Sequence, residues 1–205
     1  MKRSLNTVFA LTVLAISVGC GGAAKYPNYY TLNLPPPPDP PAAAGVRASV
    51  AVRQFRSPVY LRQGAVVYKT SPEQIGFYEY HRWAVDPRDF VTEAVIDRLR
   101  ASGDYARVEP YNGHSDIDYL LTGRLEKLEE VDYDGGVKVE VAVSAQMVNG
   151  ATGATVWTNA VSEVGTVGRH DVPAIVSAMN QAMGRAIEKL LTPSPVPVAA
   201  NKRPE

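Results

Sequence analysis

The amino-acid sequence predicts an α/β fold: a single domain in which a mixed, mostly antiparallel sheet carries two amphipathic helices packed on it. Three observations lead there. Val137, Val139, Val141, Val143, Ala145 and Met147 alternate with Lys138, Glu140, Ser144 and Gln146, the period of a strand with one buried face. Two stretches, one after Asp86-Pro87 and one after Asp171, repeat apolar residues at threes and fours, the period of a helix. The remaining apolar runs are short and are separated by Gly, Pro, Asn and Asp, which is strand-and-turn punctuation.

In chain order, Lys2 and Arg3 precede an uncharged, mostly apolar run from Val8 to Val18. That run suits a signal-peptide core and is shorter than the roughly 20 residues a membrane-spanning helix needs. It ends in Ser17-Val18-Gly19-Cys20, which places a small residue directly before the only cysteine and resembles a bacterial lipobox. The expectation is cleavage between Gly19 and Cys20, with a diacylglycerol on the Cys20 thiol and an N-acyl chain on its new amino group. Residues 1–19 are then a lipoprotein signal peptide and residues 20–28 a lipid-anchored flexible leader. No other cofactor is expected. A lone cysteine excludes an intramolecular disulfide.

Removing the first 19 of 205 residues leaves 186, enough for one domain with a proper core. Without Lys2 and Arg3 the chain has 19 basic and 21 acidic residues, a formal charge of −2 with no basic stripe, so no nucleic-acid partner is expected. The domain is expected over 29–191, with a Pro-rich segment at 35–41 and a Pro-rich disordered tail over 192–205.

Tyr29 to Leu34 alternates as a first strand. Pro35 to Pro41 favours polyproline II, a stiff surface spacer outside the sheet. Val46, Ala48, Val50 and Val52 predict a core strand, and Pro58–Leu61, Ala65–Tyr68 and Ile75–Tyr80 predict short strands or extended pieces. Asp86 can cap free amides and Pro87 fits a first helical position, followed by Phe90, Val91, Ala94, Val95 and Leu99 on one face and a stop at Gly103. Ala106–Glu109 predicts a short strand. From Ile117 a meander is expected. Tyr119, Leu121 and Leu125 share a face, and the phase slips before Leu128, the mark of a bulge. Asp132–Gly136 and Asn149–Gly153 read as turns. The last helix, from about Asp171 to Leu191, carries Val172, Ile175, Val176, Met179, Met183, Ile187 and Leu190 as a core stripe, with methionine as filler.

No chemistry is legible along the chain. His81, His114 and His170 fall in no zinc-type spacing, so no metal is expected. His114-Ser115-Asp116 has triad residue types, but adjacent residues cannot form a triad, and no glycine elbow surrounds a serine. The glycine pairs are hairpin turns, not phosphate loops. Glu129-Glu130 is expected to face water. No catalytic residue is predicted, and the reading is of a protein that is not an enzyme.

One dense cluster remains, Phe77 to Ala84, directly before the helix cap. Tyr78, Tyr80, Arg82 and Trp83 are candidate partner-binding residues, because aromatics with arginine populate interface hot spots. The same residues also suit an extended piece covering a helix–sheet core, and the sequence leaves both readings open. Strict alternation aims Tyr78 and Tyr80 to one side.

Tyr29-Tyr-Thr-Leu behind the lipobox, the strand near Val50, Pro58 with Tyr60-Leu61, Tyr80 with Arg82-Trp83-Ala84 and Pro87, and Asp118-Tyr-Leu-Leu-Thr-Gly-Arg-Leu together resemble the ABC-type transport auxiliary lipoproteins, the PqiC-like family, over residues 26–191. The resemblance implies a periplasmic lipoprotein that partners an MCE-domain protein of an ABC-type lipid transport system. It also implies an α/β domain and no catalytic residues. Gly21 is not the aspartate that commonly retains lipoproteins at the inner membrane, which implies an outer-membrane anchor. The competing class is a structural or assembly lipoprotein, such as a cell-wall synthase activator or an outer-membrane assembly factor. A periplasmic enzyme is a third.

Overall fold

The computed structural model describes residues 25–38, 48–113, 116–133, 135–192 and 195. The predicted signal peptide, the Gly19–Cys20 lipidation site, most of the predicted tail and the His114-Ser115 pair lie outside the described residues.

Eight strands form one open mixed sheet with two helices: β1 (Asn28–Tyr30), β2 (Ser49–Val52), β3 (Ala65–Ser71), β4 (Gln74–Trp83), α1 (Pro87–Ser102), β5 (Arg107–Pro110), β6 (Tyr119–Val131), β7 (Lys138–Asn149), β8 (Thr155–Thr166) and α2 (Val172–Leu190). The long strands β6, β7 and β8 pair antiparallel as the expected meander. The antiparallel β3–β4 hairpin joins the sheet through a short parallel pairing with β6.

β6 organises the sheet. One of its edges is taken along its length by β7. The other is shared by three successive pieces of chain running parallel to it: β2 beside Tyr119–Leu121, a bridge from Arg56 to Arg124, and β3 beside Glu130–Val131. β5 then flanks β2, while β4 and β1 flank β3. The predicted phase slip is present as a register shift between Leu125 and Lys127. One extra residue lets both Leu125 and Leu128 face the core, where each is fully buried.

Both helices start as their sequences dictate. The Asp86 carboxylate accepts from the Arg88 amide at 2.9 Å with Pro87 in the first turn, and the Asp171 carboxylate accepts from the Ala174 amide at 2.9 Å. α2 packs on β7 and β8, and Ile175, Met179, Met183, Ile187 and Leu190 are 0% exposed, so the methionines fill core. The alternating β7 set Val139, Val141, Val143 and Met147 is also buried. Gly123 sits where the Phe55 ring closes the core: a Cβ there would approach that ring to 2.3 Å.

Two local expectations change. The first strand is short: after Tyr30 the chain leaves the sheet, buries Leu32 and lies against the helices, with Asn33 and Asn180 exchanging backbone and side-chain hydrogen bonds of 2.8 and 2.7 Å. Pro35 to Pro37 continue along α1 beside Phe90, Ala94 and Arg98. Residues Val59–Gln63 form a 3-10 turn in place of an extended piece. Pro58 opens it and Gly64, at φ 75°, closes it, so the local turn chemistry outweighs the short apolar run around Leu61.

Candidate functional site

Two buried carboxylates and their partners come together at the C-terminal end of β6. Contrary to the expectation that they face water, Glu129 and Glu130 are each 1% exposed. Both faces are covered there, by Tyr60 and Lys69 over Glu129 and by Tyr78 and His170 over Glu130, so each carboxylate finds its partners inside. Glu129, on the face away from the helices with its cross-strand neighbour Glu140, accepts from the Tyr60 hydroxyl at 3.1 Å and pairs with the Lys69 ammonium at 3.6 Å. Glu130, on the helix side with Val139, accepts from the Tyr78 hydroxyl at 2.8 Å and lies 3.2 Å from Nε2 of His170. Burial pushes the Glu130 carboxyl above the usual range, with Tyr78 and His170 acting against that shift and Asp132 adding to it. Burial and the Glu130 bond raise the Tyr78 phenol, and burial and Glu129 raise that of Tyr60, so both stay donors.

The site extends from Glu130 toward the chain's first strand. The Tyr78 ring lies 4.9 Å from that of Tyr68 and meets His81 edge-on at 5.7 Å. His81 stacks on Tyr30 of β1, whose hydroxyl is 2.8 Å from Nδ1. Tyr68 lies across Gly76, where a Cβ would come within 2.2 Å of the ring, so only glycine admits this packing. Asp132 and His170 complete the group: with Glu130, they offer ligand atoms that all lie within 4.8 Å of one another.

Of the four residues singled out from the sequence, the structure separates the roles. Tyr78 is half-buried in the Glu130 network. Tyr80 is half-exposed, 5.5 Å beneath the Lys25 ammonium. Arg82 is half-exposed and donates to the Gln63 carbonyl at 2.9 Å, bracing the 3-10 turn. Trp83 is 6% exposed and belongs to the core, bordering a small apolar pocket with Leu32, Val85 and Phe90. Two steps along β3, from Ala65 to Val67, correspond to five along β4, from Arg82 back to Phe77, so β4 bulges over Tyr78–His81. That bulge breaks strict alternation and brings Tyr78 and His81 together.

A second feature lies on the helix-free face. Thr122, Arg124, Ser144, Gln146, Thr158 and Ala160 are cross-strand neighbours there, and with Arg53 and Arg56 they line an open groove of about 720 Å3. Arg124 pairs with Glu126 at 2.7 Å, and Arg53 stacks on Tyr111 at 4.7 Å. No sequence pattern announced this groove, because its arginines come from two distant segments.

Residues 30–190 match the model of the ABC-type transport auxiliary lipoprotein component. The chain belongs to the ABC-type transport auxiliary lipoprotein family. Membership fits an auxiliary transport lipoprotein of the cell envelope, a family not defined by an enzymatic reaction. The auxiliary lipoprotein fold is also seen in a Xanthomonas campestris protein of the DUF330 family, at 16% identity and a TM-score of 0.68, over 80% of this chain and 92% of that one. A second solved structure, of an uncharacterized protein, aligns at 16% identity and a TM-score of 0.64, over 82% of this chain and 98% of that one. A hypothetical protein of Chlamydia trachomatis aligns at 9% identity and a TM-score of 0.52, over 76% and 100%. No curated protein matches. Among the described residues, no helix is long and apolar enough to cross a membrane.

Proposed function

We propose that this auxiliary lipoprotein serves an MCE-domain, ABC-type lipid transport system, held at the periplasmic face of the envelope by acyl chains on Cys20 and acting through protein contacts. The family match over residues 30–190, directly behind a lipobox, carries the reading. Two or more acyl chains suffice for stable anchoring, since each buried methylene contributes about 0.8 kcal/mol. β1 starts eight residues after Cys20, so the leader reaches at most roughly 28 Å and the folded domain works near the bilayer. With glycine after the cysteine, the outer membrane is the proposed address.

The contact surfaces we assign to the MCE protein are the groove bearing Arg53 and Arg56 and, on β4, the half-exposed Tyr80 and Arg82. Crosslinking from the native envelope tests this. Recovery of MCE protein is the expected result, and recovery of cell-wall synthases with no MCE protein sinks the transport reading. Unchanged maturation and membrane partitioning of Cys20→Ala would refute the anchor.

A further inference from the structure

We propose that Glu130, Asp132 and His170 form a binding site for a divalent transition-metal ion, with Zn2+ the best match to their chemistry. The inference rests on the geometry of this chain and does not depend on the transport reading.

The three residues offer one nitrogen and two carboxylate oxygens whose ligand atoms lie within 4.8 Å of one another. Glu130 Oε1 and His170 Nε2 are 3.2 Å apart. Two ligands about 2.0–2.2 Å from a tetrahedral zinc stand roughly 3.4 Å from each other, so a metal fits between these two atoms with little movement of either. The second oxygen of Glu130 is engaged by the Tyr78 hydroxyl at 2.8 Å, which fixes the carboxylate with Oε1 toward the histidine. Such outer hydrogen bonds are how proteins orient metal ligands. An imidazole among the donors favours zinc over calcium or magnesium, which take oxygen alone.

The electrostatics agree. Glu130 is buried, its ion-pair partner among the described residues is His170, and Asp132 adds a like charge beside it. Glu129 next door has a lysine; Glu130 has a histidine, which is cationic only when protonated. A dication would balance both carboxylates. Entry is open, because Asp132 and His170 are exposed, and a fourth position is left to water or to a partner's side chain. The Asp132 amide donates to the Lys69 carbonyl at 2.9 Å, and the residues on either side of His170 close a tight turn, the Asp171 amide donating to the Arg169 carbonyl at 2.8 Å. Metal binding would join the β6–β7 turn to the start of α2.

The test uses the full-length protein purified in detergent, titrated with ZnCl2 against a chromophoric chelator and followed by thermal unfolding. The expected result is one zinc per chain and a rise in Tm of about 5 °C at saturating zinc. His170→Ala and Asp132→Ala should each weaken zinc binding by at least about tenfold and abolish the rise, while Glu93→Ala, an exposed carboxylate elsewhere, keeps both. Both ligand variants alter exposed side chains, so they should fold. Absence of uptake at micromolar zinc, uptake unchanged in both ligand variants, or an equal response to CaCl2 would each overturn the proposal.

Discussion

Glu129 and Glu130 are neighbours in one strand, equally buried, and each bonded to a tyrosine hydroxyl, yet they sit in opposite electrostatic settings. On the helix-free face Glu129 has a permanent cation, Lys69, beside Tyr60. On the helix face Glu130 has a titratable histidine and a second carboxylate. A buried carboxylate with a lysine is a completed structural pair, whereas one with a histidine and an aspartate is incomplete until a proton or a metal arrives. The contrast separates a site that holds the fold from one that can respond to its surroundings.

The sharpest way to break the comparison is to remove the permanent cation. Lys69→Ala leaves Glu129 buried with a tyrosine alone and should cost about 3 kcal/mol, the low end for breaking a buried pair because the lysine keeps some solvent contact. Urea unfolding checks it, and a loss under 1 kcal/mol would place Glu129 in a wetter setting than its burial indicates. Tyr78→Phe keeps the ring packing and deletes one bond to a buried carboxylate, with an expected loss of about 2 kcal/mol in the same assay. Equal values for Tyr78→Phe and Tyr80→Phe would mean that the Glu130 bond contributes nothing special.

Smaller effects come from exposed partners. Glu163, buried on β8, is held below the usual carboxylate range by hydrogen bonds from Lys189 at 2.6 Å and Arg185 at 3.0 Å, against a desolvation that pushes it up. A lowered folded pKa means that this stabilisation is present above the ordinary value of 4.5 and is lost as the pH falls through the folded value. Since both cations are partly solvated, Arg185→Ala should cost about 1 kcal/mol or less at pH 7 and less than that at pH 2, where its bond to the Val164 carbonyl remains. A variant equally destabilised at both pH values would assign the loss to packing. Smallest of all, His170→Ala in the absence of metal should cost under about 0.5 kcal/mol, since the ring is largely exposed. A large loss in metal-free buffer would make His170 a structural partner of Glu130, on a par with Lys69.

Much of the framework was legible. The alternation in β7 and the Asp-Pro and Asp caps of the two helices follow from local periodicity and capping chemistry, and each appears where those rules place it. The slip before Leu128 was legible too, because a bulge shows as a change of phase. The candidate sites were not. Glu129-Glu130 reads as a solvated pair by composition, and it is buried by side chains from distant segments, Tyr60 and Lys69 on one face and Tyr78 and His170 on the other. Tyr78 was visible as one of an aromatic group, but the three-residue offset between β3 and β4 that turns it toward Glu130 has no local signature. Trp83 and Arg82 stood in the same group, and the structure sends one into the core and the other to the Gln63 carbonyl.

By itself the sequence determined the helices and long strands, their caps and the apolar faces, because these depend on neighbours within a few residues. Tertiary structure alone decided that three stretches of chain, β2, Arg56 and β3, share one edge of β6. It also decided that residues 78, 130, 132 and 170 meet at its end. The physical reason is that strand pairing joins segments far apart in sequence through backbone groups every residue has, so no side-chain pattern records the partner. The chemistry of a site assembled that way appears only once the sheet has closed around it.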